Sequence, residues 1–254
     1  MKKKLLSLLA VSAMLVACLT GCGQSAGTLK VGMEIGYPPF EYYDADGTTP
    51  TGLDVELAKE IGKRMGMEVE LIDTAWDGIF AGLKKGDYDC IMSAVTITPD
   101  RLLEFDFSEP YIQNMQCIVS LKGSDVQVTD IAQLSGLRVG YQEETTSDIY
   151  LTNYANATGL ECETFEYAKV MNCYDELELG RIDAIICDST VATSYVSDPD
   201  SIFEITWTQP ADEEIEEFGV CIQKGNTELL DKVNKALAEI KADGTLDALL
   251  EKYF

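Results

Sequence analysis

The feature that most narrows the fold of this chain is an alternation of short apolar runs with amphipathic stretches, which begins near residue 29 and restarts after about residue 120. Leu29–Met33, Val69–Ile72 and the nearly continuous apolar run Tyr88–Val95 read as strands, the last as a strand buried on both faces. Between them, Val55, Leu57, Ala58, Ile61 and Met65 recur at helical spacing within 54–65, with Gly66 placed to end that helix, and 77–85 reads as a shorter helix closed by Gly86. Pro38-Pro39 forces an extended turn, and Asp44-Ala45-Asp46-Gly47 reads as a loop tip. After the restart come a short helix within 126–134, a strand at 137–141, a helix at 146–155, a strand at 163–167, a helix at 170–179 and an apolar strand at 182–187. A late strand at 218–223 and two helices within 228–253, broken at Asp243-Gly244, complete the chain. Strands alternating with helices of this length predict parallel α/β sheets, and the restart predicts two lobes. No flexible linker separates the halves, so the chain is expected to cross between them in ordered segments.

The first residues follow a different grammar. Lys2, Lys3 and Lys4 precede the apolar stretch 5–17, which has the length of a secretory-signal core and is too short to span a bilayer comfortably. Leu19-Thr20-Gly21-Cys22 resembles the bacterial lipobox, and Leu15-Val16-Ala17-Cys18 is a weaker fit. Residues 1–22 are therefore expected to be a lipoprotein signal peptide, with acylation at Cys22 and a short tether at 23–27; a plain secretory signal with an incidental cysteine is the alternative. Acyl chains stabilise membrane attachment by about 0.8 kcal/mol per buried methylene, so two or three hold firmly. The expected location is outside the cell membrane, anchored to it by lipid.

The chain has 44 acidic and 19 basic residues, a formal charge of −25, which becomes −28 once the three leader lysines are gone. Nucleic-acid partners need a cationic surface and are excluded. No histidine is present, which removes Ser-His-Asp and Cys-His catalysis and any histidine-ligated metal site. No metal and no cofactor is expected. Beyond Cys18 and Cys22, six cysteines remain, with no CxxC pair; Cys90, Cys187 and Cys221 sit in apolar runs and read as small buried hydrophobes. Cys162 and Cys173 are the pair to consider if any bridge exists.

Gly36-Tyr37-Pro38-Pro39-Phe40-Glu41, followed by the run from Gly52 to Ala58, resembles the opening signature of bacterial extracellular solute-binding proteins of the polar amino-acid family (family 3) of ABC importers. The stretch from Ser93 to Arg101, then Phe105-Asp106-Phe107-Ser108-Glu109-Pro110-Tyr111, and the closing helix from Gly244 to Phe254 are similar to the same family. The resemblance implies the type II periplasmic-binding-protein fold: one lobe of 28–110 with 219–254, a second of 116–213, and two hinge crossings at 111–115 and 214–218. It implies a free amino acid as ligand, bound in the cleft by hinge closure, an ABC transporter permease as partner, and a monomer.

The resemblance also implies roles. Arg101 would hold the ligand carboxylate bidentately, with Thr96, Ser93 and Ala94 around it and amides of Thr146 and Ser147 from the second lobe. Asp188, just past an apolar strand, would pair with the ligand ammonium; capping the helix after it is the alternative, and one side chain could do both. Tyr37 and Trp76 would wall the ligand, and Glu34 would face its side chain. An acid there favours Arg, Lys, ornithine or His, or Gln through its amide, so the expected ligand is basic or polar. Glu144 stands where the family has glycine, so positive φ there would be strained. Two other readings stay open on the same scaffold: an enzyme resembling cyclohexadienyl dehydratase, drawing on cleft acids, and a ligand-binding sensor module.

Overall fold

The computed structural model describes residues 27–213 and 215–254. The expected signal peptide, Cys18, Cys22 and residues 23–26 of the expected tether lie outside the described residues. In chain order the elements are β1 (Thr28–Met33), β2 (Tyr42–Tyr43), β3 (Pro50–Thr51), α1 (Leu53–Met65), β4 (Glu68–Asp73), α2 (Trp76–Lys85), β5 (Cys90–Ile91), α3 (Pro99–Glu104), β6 (Phe105–Phe107), β7 (Ile112–Asn114) and β8 (Gln116–Leu121). A 3-10 turn at Ile131–Leu134 precedes β9 (Arg138–Gln142), α4 (Thr146–Thr158), β10 (Glu163–Tyr167), α5 (Val170–Glu178), β11 (Ala184–Asp188) and α6 (Ser189–Val196). The chain ends with β12 (Phe203–Thr208), β13 (Glu216–Phe218), β14 (Cys221–Gln223), α7 (Thr227–Ala242) and α8 (Thr245–Tyr253).

Two five-stranded sheets organise these elements, in the orders β4-β1-β5-β14-β6 and β10-β9-β11-β8-β12. The chain passes between them at β7 and β13, which pair antiparallel with Asn114 opposite Glu216 and Ile112 opposite Phe218. Parallel pairing holds for β1 with β4 and β5, and for β9 with β10 and β11. The sheets are nevertheless mixed, against the all-parallel expectation: β14 runs antiparallel to β5 and β6, and β8 antiparallel to β11 and β12. The cause is the double crossing. β8 and β14 each follow a crossing segment and lead away from it, against neighbours that lead towards it.

Each sheet is covered by helices whose apolar faces supply the core. Leu57, Ala58 and Ile61 of α1 are buried with Val233, Leu237 and Ile240 of α7 and Leu246 of α8. In the other half, Ile118, Val139 and Ile186 of the sheet pack with Leu134 and with Leu151 of α4. Gly52 determines how α1 begins. It has φ 124°, and a Cβ there would lie 2.1 Å from the Phe40 carbonyl oxygen, so no other residue fits without moving backbone. The close approach lets Leu53 and Asp54 donate amides to the carbonyls of Pro39 and Phe40.

Three elements differ from expectation, the first being the late strand 218–223, which is split into β13, ending at Phe218, and β14 in another sheet. The apolar run 88–95 is strand only over Cys90–Ile91, because its second half leaves the sheet: the Ala94 amide bonds the Asp54 carboxylate, and Ser93 Oγ accepts from the Glu34 amide. The helix expected within 126–134 is a 3-10 turn, held by a capping box between Asp130 and Gln133. All six cysteines among the described residues are free thiols; five are buried, and Cys162 is half-buried.

Candidate functional site

The carboxyl ends of β1, β9 and β11 converge between the two sheets, the place where α/β folds collect ligands. A small cavity lies there. From the first sheet's side it is lined by Glu34, Tyr37, Trp76, Ser93, Ala94, Thr96 and Arg101, and from the other by Gln142, Thr145, Thr146 and Asp188. A wider groove opens beside it and shares Thr96, Arg101 and Thr146 with it. Nine of the ten residues expected at the site line the cavity. Ser147 does not: its hydroxyl is spent on Gln116 Oε1 at 2.7 Å.

Arg101 is set by the turn that carries it. Thr98 caps α3 by accepting the Arg101 amide, and Pro99 begins the helix. The guanidinium then folds back so that Nη1 donates to the Thr96 carbonyl at 2.9 Å, and it lies over the rings of Phe80 and Trp76, 5.0 and 5.5 Å from their centroids. Burial pulls its pKa down. Among the described residues no carboxylate is within ion-pair distance, so the rest of its planar fork is available to an anion. Thr146 opens α4, and its amide therefore has no carbonyl of its own helix to bond.

Asp188 ends β11 and holds the cap position of α6, yet its side chain makes no capping bond. Its Oδ2 accepts from the Tyr37 hydroxyl at 2.6 Å, and its Oδ1 accepts from Asn114 Nδ2 and Gln116 Nε2, both at 2.8 Å. The same two amide groups also donate to Glu216 Oε2, at 2.7 and 3.0 Å. Two acids thus bracket two neutral donors. Burial first, and Glu216 second, push the Asp188 carboxyl up to about 7, against the three donors that lower it. A cation placed beside it would relieve that penalty.

Glu34 is not a free acid. Its Oε2 accepts from Gln142 Nε2 at 2.9 Å, and Lys169, from the other side of the cleft, stands 3.3 Å from its Oε1. Lys169 Nζ also donates to the Ile35 carbonyl at 3.0 Å. Burial still lifts the Glu34 carboxyl above its usual range, while Gln142 and Lys169 hold it back. Lys169 thus supplies Glu34 with a cation from the chain itself.

Further contacts span the cleft: Trp76 Nε1 donates to the Glu144 carbonyl at 3.2 Å, and the hydroxyls of Thr96 and Thr146 are 3.4 Å apart. Backbone strain collects at the same place. Ala94 and Glu144 are the non-glycine residues with positive φ, at 47° and 58°, among the described residues. Gln142 and Thr145 line the cavity without having been singled out from sequence. Gln142 ends β9 as Asp188 ends β11, so the rule that found one applies to the other. Lys169 and Glu216 carry no local signal; distant pairing brings both to the site. Among the described residues no cluster of three or more His, Cys, Asp or Glu is placed to hold a metal ion.

Comparison with known proteins adds to this geometry. The sequence profile of the bacterial extracellular solute-binding proteins, family 3, matches residues 29–254. The L-cystine-binding protein TcyJ of Escherichia coli (strain K12) is 37% identical over 229 residues, covering 90% of this chain and 83% of that one. An ancestral arginine-binding protein bound to arginine superposes with a TM-score of 0.82 at 37% identity, covering 91% of this chain and 99% of that one. The ancestral amino acid-binding protein AncCDT-1, a precursor of cyclohexadienyl dehydratase, superposes with a TM-score of 0.82 at 35% identity, covering 90% and 96%.

Proposed function

The chain belongs to the bacterial extracellular solute-binding proteins of family 3, and from that premise we propose that it captures a free amino acid by closing two lobes and delivers it to an ABC transporter permease. The lobes are 28–110 with 219–254, and 116–213; the crossings at 111–115 and 214–218 act as the hinge. The protein works as a monomer, exported and held at the membrane by lipid on Cys22. The reading rests on one observation above the others: a half-buried guanidinium without an acid partner among the described residues shares a cavity with a buried carboxylate whose pKa is pushed up to about 7. A dipolar amino acid answers both, its carboxylate on Arg101 and its ammonium on Asp188. Burying either charge of such a ligand without a partner costs several kcal/mol, so a site for it needs both.

The contacts between Tyr37 and Asp188, Trp76 and Glu144, and Glu34 and Lys169 form as the cleft shuts. They give the closed form a set of bonds that an open form lacks, and the ligand adds to them from inside. Binding is non-covalent. Arg101 and Asp188 together suit an intact amino acid and assign no reaction.

The test is a melting-temperature screen of the mature protein against the common amino acids, ornithine and cystine, after unfolding and refolding to strip carried-over ligand. A ligand at a hundredfold excess over Kd adds about 2.7 kcal/mol, or about 5–10 °C for a chain of this size. Arg101→Ala should abolish that shift while leaving the ligand-free melting temperature nearly unchanged. No shift with any amino acid, or an equal shift in the variant, refutes the proposal.

A further inference from the structure

Two buried acceptors at the Glu34 end of the cavity lack a well-formed hydrogen bond, and one of them faces the Lys169 ammonium at 3.3 Å, the cation that cancels the charge there. Gln142 is 3% exposed, and its Nε2 donates to both Glu34 Oε2 and the Ala168 carbonyl, at 2.9 and 3.1 Å. Those two bonds fix which end of the amide is nitrogen, since both acceptors demand a donor. Its Oε1 is then left buried without a partner, as is Glu34 Oε1 apart from its 3.3 Å ion pair with Lys169. Both residues line the cavity, and Lys169 does not: it reaches Glu34 from behind, half-exposed, anchored on the Ile35 carbonyl. An unpartnered buried acceptor is costly, so the pair asks for N–H groups from whatever fills the cavity.

We infer that Lys169 sets the ligand class by neutralising Glu34, so that the distal end of the pocket takes an N–H donor carrying no net charge. This deepens, and rests on, the amino-acid reading above. A side-chain carboxamide meets the requirement: its NH2 group has two hydrogens for Glu34 Oε1 and Gln142 Oε1. A second dipolar amino-acid head meets it through its ammonium, with its own carboxylate balancing the charge. A guanidinium or lone ammonium side chain does not. It would meet an acid whose charge is already spent and would be buried as an uncompensated cation beside Lys169.

The experiment is calorimetric titration of the stripped mature protein with glutamine, cystine, arginine, lysine and ornithine. Glutamine or cystine is expected to bind at least tenfold more tightly than any of the three cationic ligands; the tighter of the two identifies the donor as carboxamide or second head. Lys169→Met is expected to shift the ratio at least tenfold towards arginine. Gln142→Glu, which adds the missing negative charge without touching Lys169, should shift it in the same direction and covers the case in which Lys169→Met loosens closure. Arginine binding the unaltered protein most tightly overturns the inference and leaves the amino-acid function standing. A ratio that moves in neither variant also overturns it. Absence of binding by every amino acid sinks the function itself, and the inference with it.

Discussion

Replacing Asp188 by asparagine should have two effects of opposite sign, and together they test whether charge on this carboxyl opposes closing of the cleft. In the cleft Asp188 faces Tyr37, Asn114 and Gln116 as donors, Glu216 as a second acid, and more remotely Arg101 and its neighbour Cys187. Its pKa moves from an ordinary 3.8 to about 7, and three units amount to roughly 4 kcal/mol against the ionised form. If hinge opening restores water to the carboxyl, that figure is the ceiling on what ionised Asp188 contributes against closing. The sign follows from linkage. The closed form, with the higher pKa, is favoured fully below the open-state value near 4 and loses that advantage as pH rises through 7. The ligand-free protein should therefore be more closed at pH 5 than at pH 8, and Asp188→Asn should be closed at both. Small-angle scattering, or energy transfer between dyes on the two lobes, reads this directly. Ligand affinity should fall in the same variant by about 2–5 kcal/mol, because the ligand ammonium loses its counter-charge. An Asp188→Asn protein with near-normal affinity refutes the ammonium assignment. One that loses affinity yet opens at pH 8 like the parent refutes the repulsion.

Two residues beside the cavity carry further expectations. Asp54 is wholly buried and accepts from the Ala94 amide and the Tyr111 hydroxyl, yet burial raises its pKa to about 6. Two units above the ordinary value correspond to roughly 3 kcal/mol of stability present below pH 4 and lost as pH rises through 6. Asp54→Asn keeps an acceptor for both donors, so urea unfolding between pH 4 and 8 should show that slope reduced; an unchanged slope contradicts the assignment. Glu144→Gly should relieve the strain at φ 58° while keeping the carbonyl that Trp76 bonds. After the entropy that glycine adds to the unfolded chain, the net gain is about 0.5–1 kcal/mol, or roughly 1–4 °C in melting temperature; a lower melting temperature counts against strain there.

The elements most legible in the sequence are those whose signal is local. Periodic apolar residues mark α1, and Gly66 with φ 71° ends it as expected. The stretches 36–41 and 52–58 looked like two parts of one signature, and the structure gives the reason: amides of Leu53 and Asp54 bond carbonyls of Pro39 and Phe40 across a contact only Gly52 permits. Arg101 is singled out by the resemblance of the run 93–101 to the family, and that run is local in the structure too: Thr98, Pro99 and the arginine form a single capped turn. What escaped was long-range. The antiparallel course of β8 and β14 depends on where the chain re-enters each sheet, which no local pattern records. Lys169 meets Glu34 across 135 positions of sequence, so Glu34 read alone looked like a free acid awaiting a cation.

The Glu34–Lys169 pair bears on how the site handles its acids. A chain with 44 acids places three of them, Glu34, Asp188 and Glu216, around one cleft and handles them differently. Glu34 is answered by Lys169 from the opposite lobe, so its charge is satisfied whenever the cleft is shut, whatever lies within. Asp188 and Glu216 share neutral amides and, among the described residues, have no lysine in ion-pair distance; Arg101 acts on both only from further away. If both pairs were answered by lysines, the cleft would close empty; if neither were, a ligand would need two cationic ends. With one of each, closure on the proposed reading depends on the ammonium common to all amino acids, and discrimination among them is left to Gln142 Oε1 and the ion-paired Glu34 carboxylate.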